Sequence, residues 1–330
     1  MRPLLLLLVL PPLFSVFAFT PWELLFDISN PQTSDQTSFG SAVSFSTASE
    51  TDIILVASAR GNTGRVFTFQ CDASTRWNLR DPEPLSGADP TSDRDSFGAA
   101  LALFPRGTVL AVGAPTRDSA TQVDVGAVDL YEAVSGDSGV TKWNKTASLF
   151  APFTVTELGL YGQSLSCDES RIPGGWRQTL VVGAPGMDRV FLYERLTADE
   201  GGSHATSVPW ELVMVLSDPL CTSNRSCDFG DSVSLSGDLL SVGGPTAYEG
   251  SVSDWGAAFV FARCATCPGG WNATGERVPG PSSFARSATA TLCAADVRRV
   301  PFPGDEVCGD SFRTLVLCPG PVPWILFHDP

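Results

Sequence analysis

The run Phe97-Gly98-Ala99-Ala100-Leu101, followed by Val112-Gly113-Ala114-Pro115 and then by Gly126-Ala127-Val128-Asp129-Leu130-Tyr131, decides how this chain folds. The first piece is an aromatic-glycine pair leading into apolar residues. The second is an apolar strand halted by small residues and proline. The third alternates in period two, as a half-buried strand does. The same order recurs from Phe39-Gly40-Ser41-Ala42-Val43, from Tyr161-Gly162-Gln163-Ser164-Leu165 and from Phe229-Gly230-Asp231-Ser232-Val233. The aromatic-glycine pairs are spaced 58, 64 and 68 residues apart, which marks stacked supersecondary units.

The later pieces repeat as well. Leu55-Val56-Ala57-Ser58-Ala59, Val182-Gly183-Ala184-Pro185 and Val242-Gly243-Gly244-Pro245 match the second, and Gly64 to Phe69, Asp188 to Tyr193 and Gly256 to Phe261 match the third. A fourth element carries a tryptophan: Trp22, Trp77, Trp143, Trp210, Trp271 and finally Trp324. Glu23, Asn78, Asn144, Glu211 and Asn272 follow the first five, so the tryptophan is expected to face inward and its polar neighbour outward. Four strands per unit joined by Gly, Pro and Asp-rich turns predict an all-β protein, a β-propeller of four-stranded blades whose radial stacking hides sheet edges. Four units are clear, and a degenerate fifth starts at Cys308-Gly309-Asp310-Ser311. There 16 residues reach the tryptophan, against 38 to 49 in the others, so the last blade is expected to be incomplete.

Composition agrees with many short elements. Hydrophobic residues make up 43% of the 330, charged residues 17%, with 31 Gly and 25 Pro. A net charge of -15 has the wrong sign for a surface that neutralises phosphates, so no nucleic-acid partner is expected. The N-terminal apolar run from Leu4 to Phe14, closed by Val16 and Ala18, reads as a signal peptide spanning residues 1–18. Broken by Pro11-Pro12, it is short for a membrane span of about 20 residues. The expectation is a secreted, extracellular chain without a transmembrane segment, with the four propeller repeats in 19–276 and the degenerate fifth repeat with a C-terminal strand in 277–330. Export makes Asn144-Lys145-Thr146, Asn224-Arg225-Ser226 and Asn272-Ala273-Thr274 candidate glycosylation sites. It also lets the nine cysteines form disulfides. Cys221 with Cys227 and Cys264 with Cys267 are the candidates close enough in sequence to close small loops.

These units resemble the FG-GAP repeat family, whose repeats form the propeller head of integrin α subunits and of other secreted or cell-surface proteins. The resemblance covers residues 22 to 276 with a degenerate extension to 330, and implies a binding or adhesion role. Two features depart from the family. Its calcium-binding members carry an Asp-x-Asp-x-Asp-Gly loop between the FG and the GAP, which supplies the oxygen ligands a hard cation needs. No repeat here has that loop: the stretch 99–112 holds no carboxylate, and Asp168-Glu169 and Asp238 are the best the other repeats offer. Asp93-Arg94-Asp95 precedes the FG and reads as a solvated turn. No metal and no cofactor are expected. Integrin heads also close with seven blades, more than are found here.

Gly230-Asp231-Ser232 and Gly309-Asp310-Ser311 look like the opening of a class of lipases and esterases in which the serine is the nucleophile. Both fall at the repeat's FG position, and a serine nucleophile needs a histidine base. The histidines are His204, in a glycine-rich loop, and His328, in the tail. Cys264-Ala265-Thr266-Cys267 has half the spacing of a zinc site without the other half. The expected function is a binding or adhesion module that engages a protein or glycan through its loops, without catalysis. The alternatives are a secreted hydrolase, esterase or glycosidase, on a propeller scaffold and a non-autonomous fragment of a larger ectodomain.

Overall fold

The computed structural model describes residues 28–31, 38–49, 52–60, 64–71, 77–81, 83–87, 95–119, 122–135, 141–152, 158–198, 208–217, 226–247, 256–272 and 276–279. The expected signal segment 1–18, Trp22, Asn224, Cys221, His204 and everything expected of the fifth unit, His328 included, lie outside them.

The protein is all-β. Four small antiparallel sheets are ringed like the blades of a four-bladed propeller, and each is a meander whose strands pair in chain order. Blade 1 comprises β1 (Ser38–Ser49), β2 (Asp52–Arg60), β3 (Arg65–Cys71) and β4 (Trp77–Leu79), with the two-residue β5 (Leu85–Ser86) also beside β3. Blade 2 is β6 (Leu101–Leu103), β7 (Val109–Ala114), β8 (Ala127–Ser135) and β9 (Thr141–Leu149). Blade 3 is β10 (Ser164–Ile172), β11 (Gly175–Ala184), β12 (Arg189–Ala198) and β13 (Glu211–Leu216). Blade 4 is β14 (Ser232–Ser236), β15 (Leu239–Gly244), β16 (Ala257–Ala262) and β17 (Glu276–Pro279).

The first strands line the axis, β1 touching β6, β6 touching β10 and β10 touching β14. Successive blades bury the trailing face of one against the leading face of the next. Ile54, Val56 and Val66 of blade 1 meet Leu101, Leu103, Leu110 and Val112 of blade 2. Ala102, Ala111, Val128 and Leu130 of blade 2 meet Leu180, Val182, Phe191 and Tyr193 of blade 3. Val181, Val190 and Leu192 of blade 3 meet Leu235, Leu240, Phe259 and Phe261 of blade 4. Each large apolar side chain fully buried in these layers contributes about 1.5–3 kcal/mol.

Double coverage explains a pattern in the sequence. Val109–Ala114 is buried at every position because blades lie on both sides, so it reads as a continuous apolar run. Leu239–Gly244 of blade 4 alternates instead, with Leu239 and Ser241 exposed.

The aromatic-glycine pair works the same way in successive blades. Its ring lies on its own blade's leading face, Phe39 edge-on to Phe67 and Phe69, Tyr161 to Phe191 and Phe229 to Phe259. The glycine takes positive φ, +83° at Gly98, +90° at Gly162 and +97° at Gly230, which an L side chain rarely adopts. From there its N–H donates to the glycine carbonyl that ends the second strand: Gly98 to Gly113 (2.8 Å), Gly162 to Gly183 (3.0 Å) and Gly230 to Gly243 (2.9 Å). The tryptophans face as expected: Trp143 and Trp271 are buried, Trp77 and Trp210 half-buried, and Asn78, Asn144, Glu211 and Asn272 are exposed. Trp271 differs in local structure. It follows a short 3-10 turn, Pro268–Gly270, and forms a single bridge to Arg263 ahead of β17.

Candidate functional site

Polar side chains at the blade junctions are committed to holding neighbours. Glu169 ends up nearly buried, accepting from the backbone N–H of Arg106 (3.1 Å) and from its guanidinium (3.3 Å) in blade 2. Gln178 Nε2 donates to the same carboxylate, Arg195 Nε donates to Gln178 Oε1, and Arg195 Nη1 pairs with Glu132 of blade 2. Asp168 Oδ2 accepts the N–H of Gly237 in blade 4. The two carboxylates weighed in the sequence as cation ligands are therefore fasteners between blades. Asp238 pairs with Arg263 at 3.2 Å. Among the described residues no group of three or more His, Cys, Asp or Glu side chains is placed to hold a metal ion.

A clamp that sequence reasoning missed joins blades 2 to 3 and 3 to 4. Glu132 meets Arg195, and one blade later Glu194 Oε1 meets Arg263 Nη1 at 2.7 Å. Each arginine also stacks on the tryptophan of its own blade, Arg195 at 4.8 Å from the Trp210 ring centre and Arg263 at 4.6 Å from that of Trp271. The signal was readable: glutamate follows the third-strand tyrosine in Tyr131-Glu132 and Tyr193-Glu194, and arginine lies two past the aromatic in Tyr193-Glu194-Arg195 and Phe261-Ala262-Arg263. The junction of blades 1 and 2 uses other contacts, Trp143 Nε1 donating to Thr68 Oγ1 (2.9 Å) and Arg80 lying over the Trp143 ring.

Asp95 corrects an expectation. Read from the sequence as part of a solvated turn, it is buried and accepts from Arg117 Nε at 3.0 Å. Arg117 Nη1 reaches on to Asp129 at 2.8 Å, and Lys145 Nζ and Ser148 Oγ complete that carboxylate's surroundings. The turn is drawn inward because a fully buried Asp129 requires a cation, and that cation carries more donors than Asp129 alone can use. Burial by itself would raise the Asp129 pKa, but hydrogen bonding and charge from Arg117, then Lys145 and Ser148, hold it below the ordinary carboxylate value. For Arg117 burial acts to lower and the two aspartates act to raise, and the net result is upward.

The serine of Gly230-Asp231-Ser232 has a counterpart in Ser164, since both first-strand serines pair with the glycine that ends their blade's second strand. Ser164 Oγ donates to the Gly230 carbonyl of the next blade at 2.7 Å, a junction contact. A recess of about 370 Å³ opens among the first strands of blades 1 to 3, lined by 44–46, 101–103, 105 and 165–167. Its thiol, Cys167, is pushed up in pKa by burial and then by the charges of Glu169 and Asp168, the reverse of what activates a nucleophile. Cys264 and Cys267 form a disulfide, and Cys227 is disulfide-bonded. Asn144 and Asn272 are exposed on the outer strand or its approach, where a glycan would clear the core.

What the junctions leave over is one end of the blades, where second strands lead to third strands and each blade leads to the next. Between blades 2 and 3 two such loops meet: the Tyr161 N–H donates to the Val125 carbonyl (3.2 Å), and Gly126 bridges Tyr161. Just outside this joint stand Val123, 60% exposed, and Leu158, 58% exposed. Leu158 and Leu160 hold left-handed backbone, φ +50° and +51°, a conformation disfavoured for leucine. Asp118 Oδ1 accepts the Asp124 N–H (2.9 Å) and shapes the first loop. In the next blade Asp188 Oδ1 accepts from the N–H groups of Cys227 (2.8 Å) and Phe229 (3.1 Å). Among the described residues this end presents exposed apolar side chains, Val123 and Leu158, beside the acidic Asp118 and Asp124. Compared with protein-family models and with curated proteins, the chain matches none.

Proposed function

We propose that this chain is an FG-GAP-type propeller, secreted or displayed at a cell surface, which acts as a binding or adhesion module toward a protein or glycan and performs no catalysis. The observation that carries the reading is the pair of exposed apolar side chains, Val123 and Leu158, on either side of the Tyr161–Val125 joint, with strained leucine backbone at 158 and 160. Strain of about 1–3 kcal/mol per residue persists where surrounding structure over-determines it, and it concentrates at sites of contact. Ser232 stands at a position that the repeat itself explains, and the buried Cys167 thiol is raised in pKa, so neither supports a hydrolase.

The test is capture of extracellular-matrix proteins and arrayed glycans by the glycosylated, secreted chain, compared with a Val123→Asp/Leu158→Ser variant. Both side chains are exposed, so the variant should melt like the parent. Its affinity for the captured partner should fall at least roughly tenfold, about 1.4 kcal/mol. Unchanged affinity removes the loop end from the reading. Ester or glycoside hydrolysis that disappears in Ser232→Ala would replace it with an enzyme.

A further inference from the structure

Three elements of blade 3 receive blade 4. Ser164 Oγ donates to the Gly230 carbonyl (2.7 Å), Ser166 Oγ accepts the Leu235 N–H (2.9 Å), and Gly183 gives the Gly230 carbonyl room, since a Cβ there would run into that oxygen. The same logic recurs between blades 2 and 3, where a Cβ at Gly113 would run into the carbonyl of Gly162. Between blades 1 and 2, Ser44 Oγ accepts the Leu103 N–H at 3.0 Å.

Blade 4 repeats the receiving set residue for residue. Ser232, Ser234 and Gly243 hold the positions of Ser164, Ser166 and Gly183, fixed by matching register, with Ser232 opposite Gly243 as Ser164 is opposite Gly183. Ser232 and Ser234 are exposed, and the three atoms nearest to a Cβ on Gly243 all belong to its own blade's Ser232, where those nearest to one on Gly183 include the Gly230 carbonyl of the next blade. The set matches the one that receives an aromatic-glycine unit in blade 3. Blade 1 presents that unit without a groove. Gly40 already holds φ +83°, the value of Gly98, yet a Cβ on it would meet nothing within 4 Å. Val43 and Phe45 occupy the register positions of Leu101 and Leu103, but are 61% and 60% exposed where Leu103 is 4%. Among the described residues no packing comparable to the other junctions joins β14 to β1.

We infer that the groove of blade 4 receives the Phe39-Gly40 unit of a second copy of this chain, making between molecules the junction that blade 3 makes with blade 4 within one. The Gly40 carbonyl sits on Gly243 and accepts from Ser232, the Phe45 N–H donates to Ser234, and Val43 and Phe45 leave water. A two-fold pair that makes both junctions is the smallest closed assembly. The Glu–Arg clamp is absent from this junction, because Ala262 and Cys71 stand at its positions. It is equally absent between blades 1 and 2, where Gln70 and Ala133 stand, so a clamp is not required for blades to stack.

Sedimentation of the full secreted chain tests this. The parent should be a dimer at micromolar concentration. Phe45→Asp changes an exposed side chain and Gly243→Val displaces a serine hydroxyl, and each should weaken dimerisation at least roughly tenfold. One variant keeps its groove and the other its unit, so a mixed pair has one intact junction where each variant alone has none, and mixing the two should give tighter association than either alone. That recovery would not occur if either had merely misfolded. A monomeric parent overturns the proposal, as does a dimer that ignores both substitutions or a mixture that associates no more tightly than either variant alone. A parent monomer that Gly309→Val turns into a dimer would assign the groove to the chain's own residues 308–311 instead.

Discussion

At the third-strand position that faces the preceding blade, Phe67, Phe191 and Phe259 fill space in blades 1, 3 and 4, and Asp129 stands there in blade 2. A carboxylate buried among apolar residues is tolerable only with its cations, Arg117 and Lys145, and with Ser148. Removing one partner leaves the others buried and charged. Asp129→Asn should cost about 3–5 kcal/mol in thermal or denaturant unfolding. Arg117→Ala should cost a similar amount, and the double substitution less than the sum, because it no longer strands one charge against its partner. The pH dependence has a definite sign. The folded pKa of Asp129 lies below its ordinary value of 3.8, so its stabilising contribution is complete above that value and is lost as pH falls through the folded one. Melting temperatures taken downward from pH 7 should drop more steeply below about pH 4 in the parent than in Asp129→Asn. Parallel acid limbs would mean that Asp129 is not the group responsible. The sequence shows Asp129 as one polar letter in an alternating strand, and its burial could not be read because it depends on Arg117, twelve residues earlier, reaching back across the sheet.

At the scale of elements, the strands and their order were legible because apolar alternation and small-residue stops are local properties. The contacts between blades were less so. The glycine of Val182-Gly183-Ala184 reads as a strand ending, but its necessity comes from the Gly230 carbonyl, which belongs to a blade beginning more than forty residues later. The Glu–Arg clamp is a column property of the same kind, each half meaningless inside its own repeat. Its contribution can be isolated. Glu194 and Arg263 are both largely buried at their side chains, so a double-mutant cycle with alanine should return a coupling of roughly 0.5–3 kcal/mol in unfolding free energy. Arg263→Lys should recover little of it, because an ammonium cannot keep the planar stack on Trp271 while meeting both Glu194 and Asp238. A coupling indistinguishable from zero would reduce the clamp to surface decoration.

For the whole molecule, the arrangement makes stability a matter of neighbours. Blades 2 and 3 are covered on both faces, while the outer faces of blades 1 and 4 leave first- and second-strand residues exposed, Val43, Phe45 and Leu239 among them, although Ala57, Phe67 and Phe69 of blade 1 are buried beneath Phe39 and Ile28. When units touch only adjacent units, opening is easiest at the ends and hardest in the middle. Amide hydrogen exchange should therefore be slowest in β7, β8, β11 and β12. It should be faster by at least roughly tenfold in β1 and β14 when the protein is dilute, a difference of about 1.4 kcal/mol in local opening. The two end strands also carry the proposed junction between copies, so their protection should rise with protein concentration while that of β7 and β11 stays level. Protection that is uniform along the chain at every concentration would mean that the first and last blades are closed against each other within one molecule, with neither end free to pair.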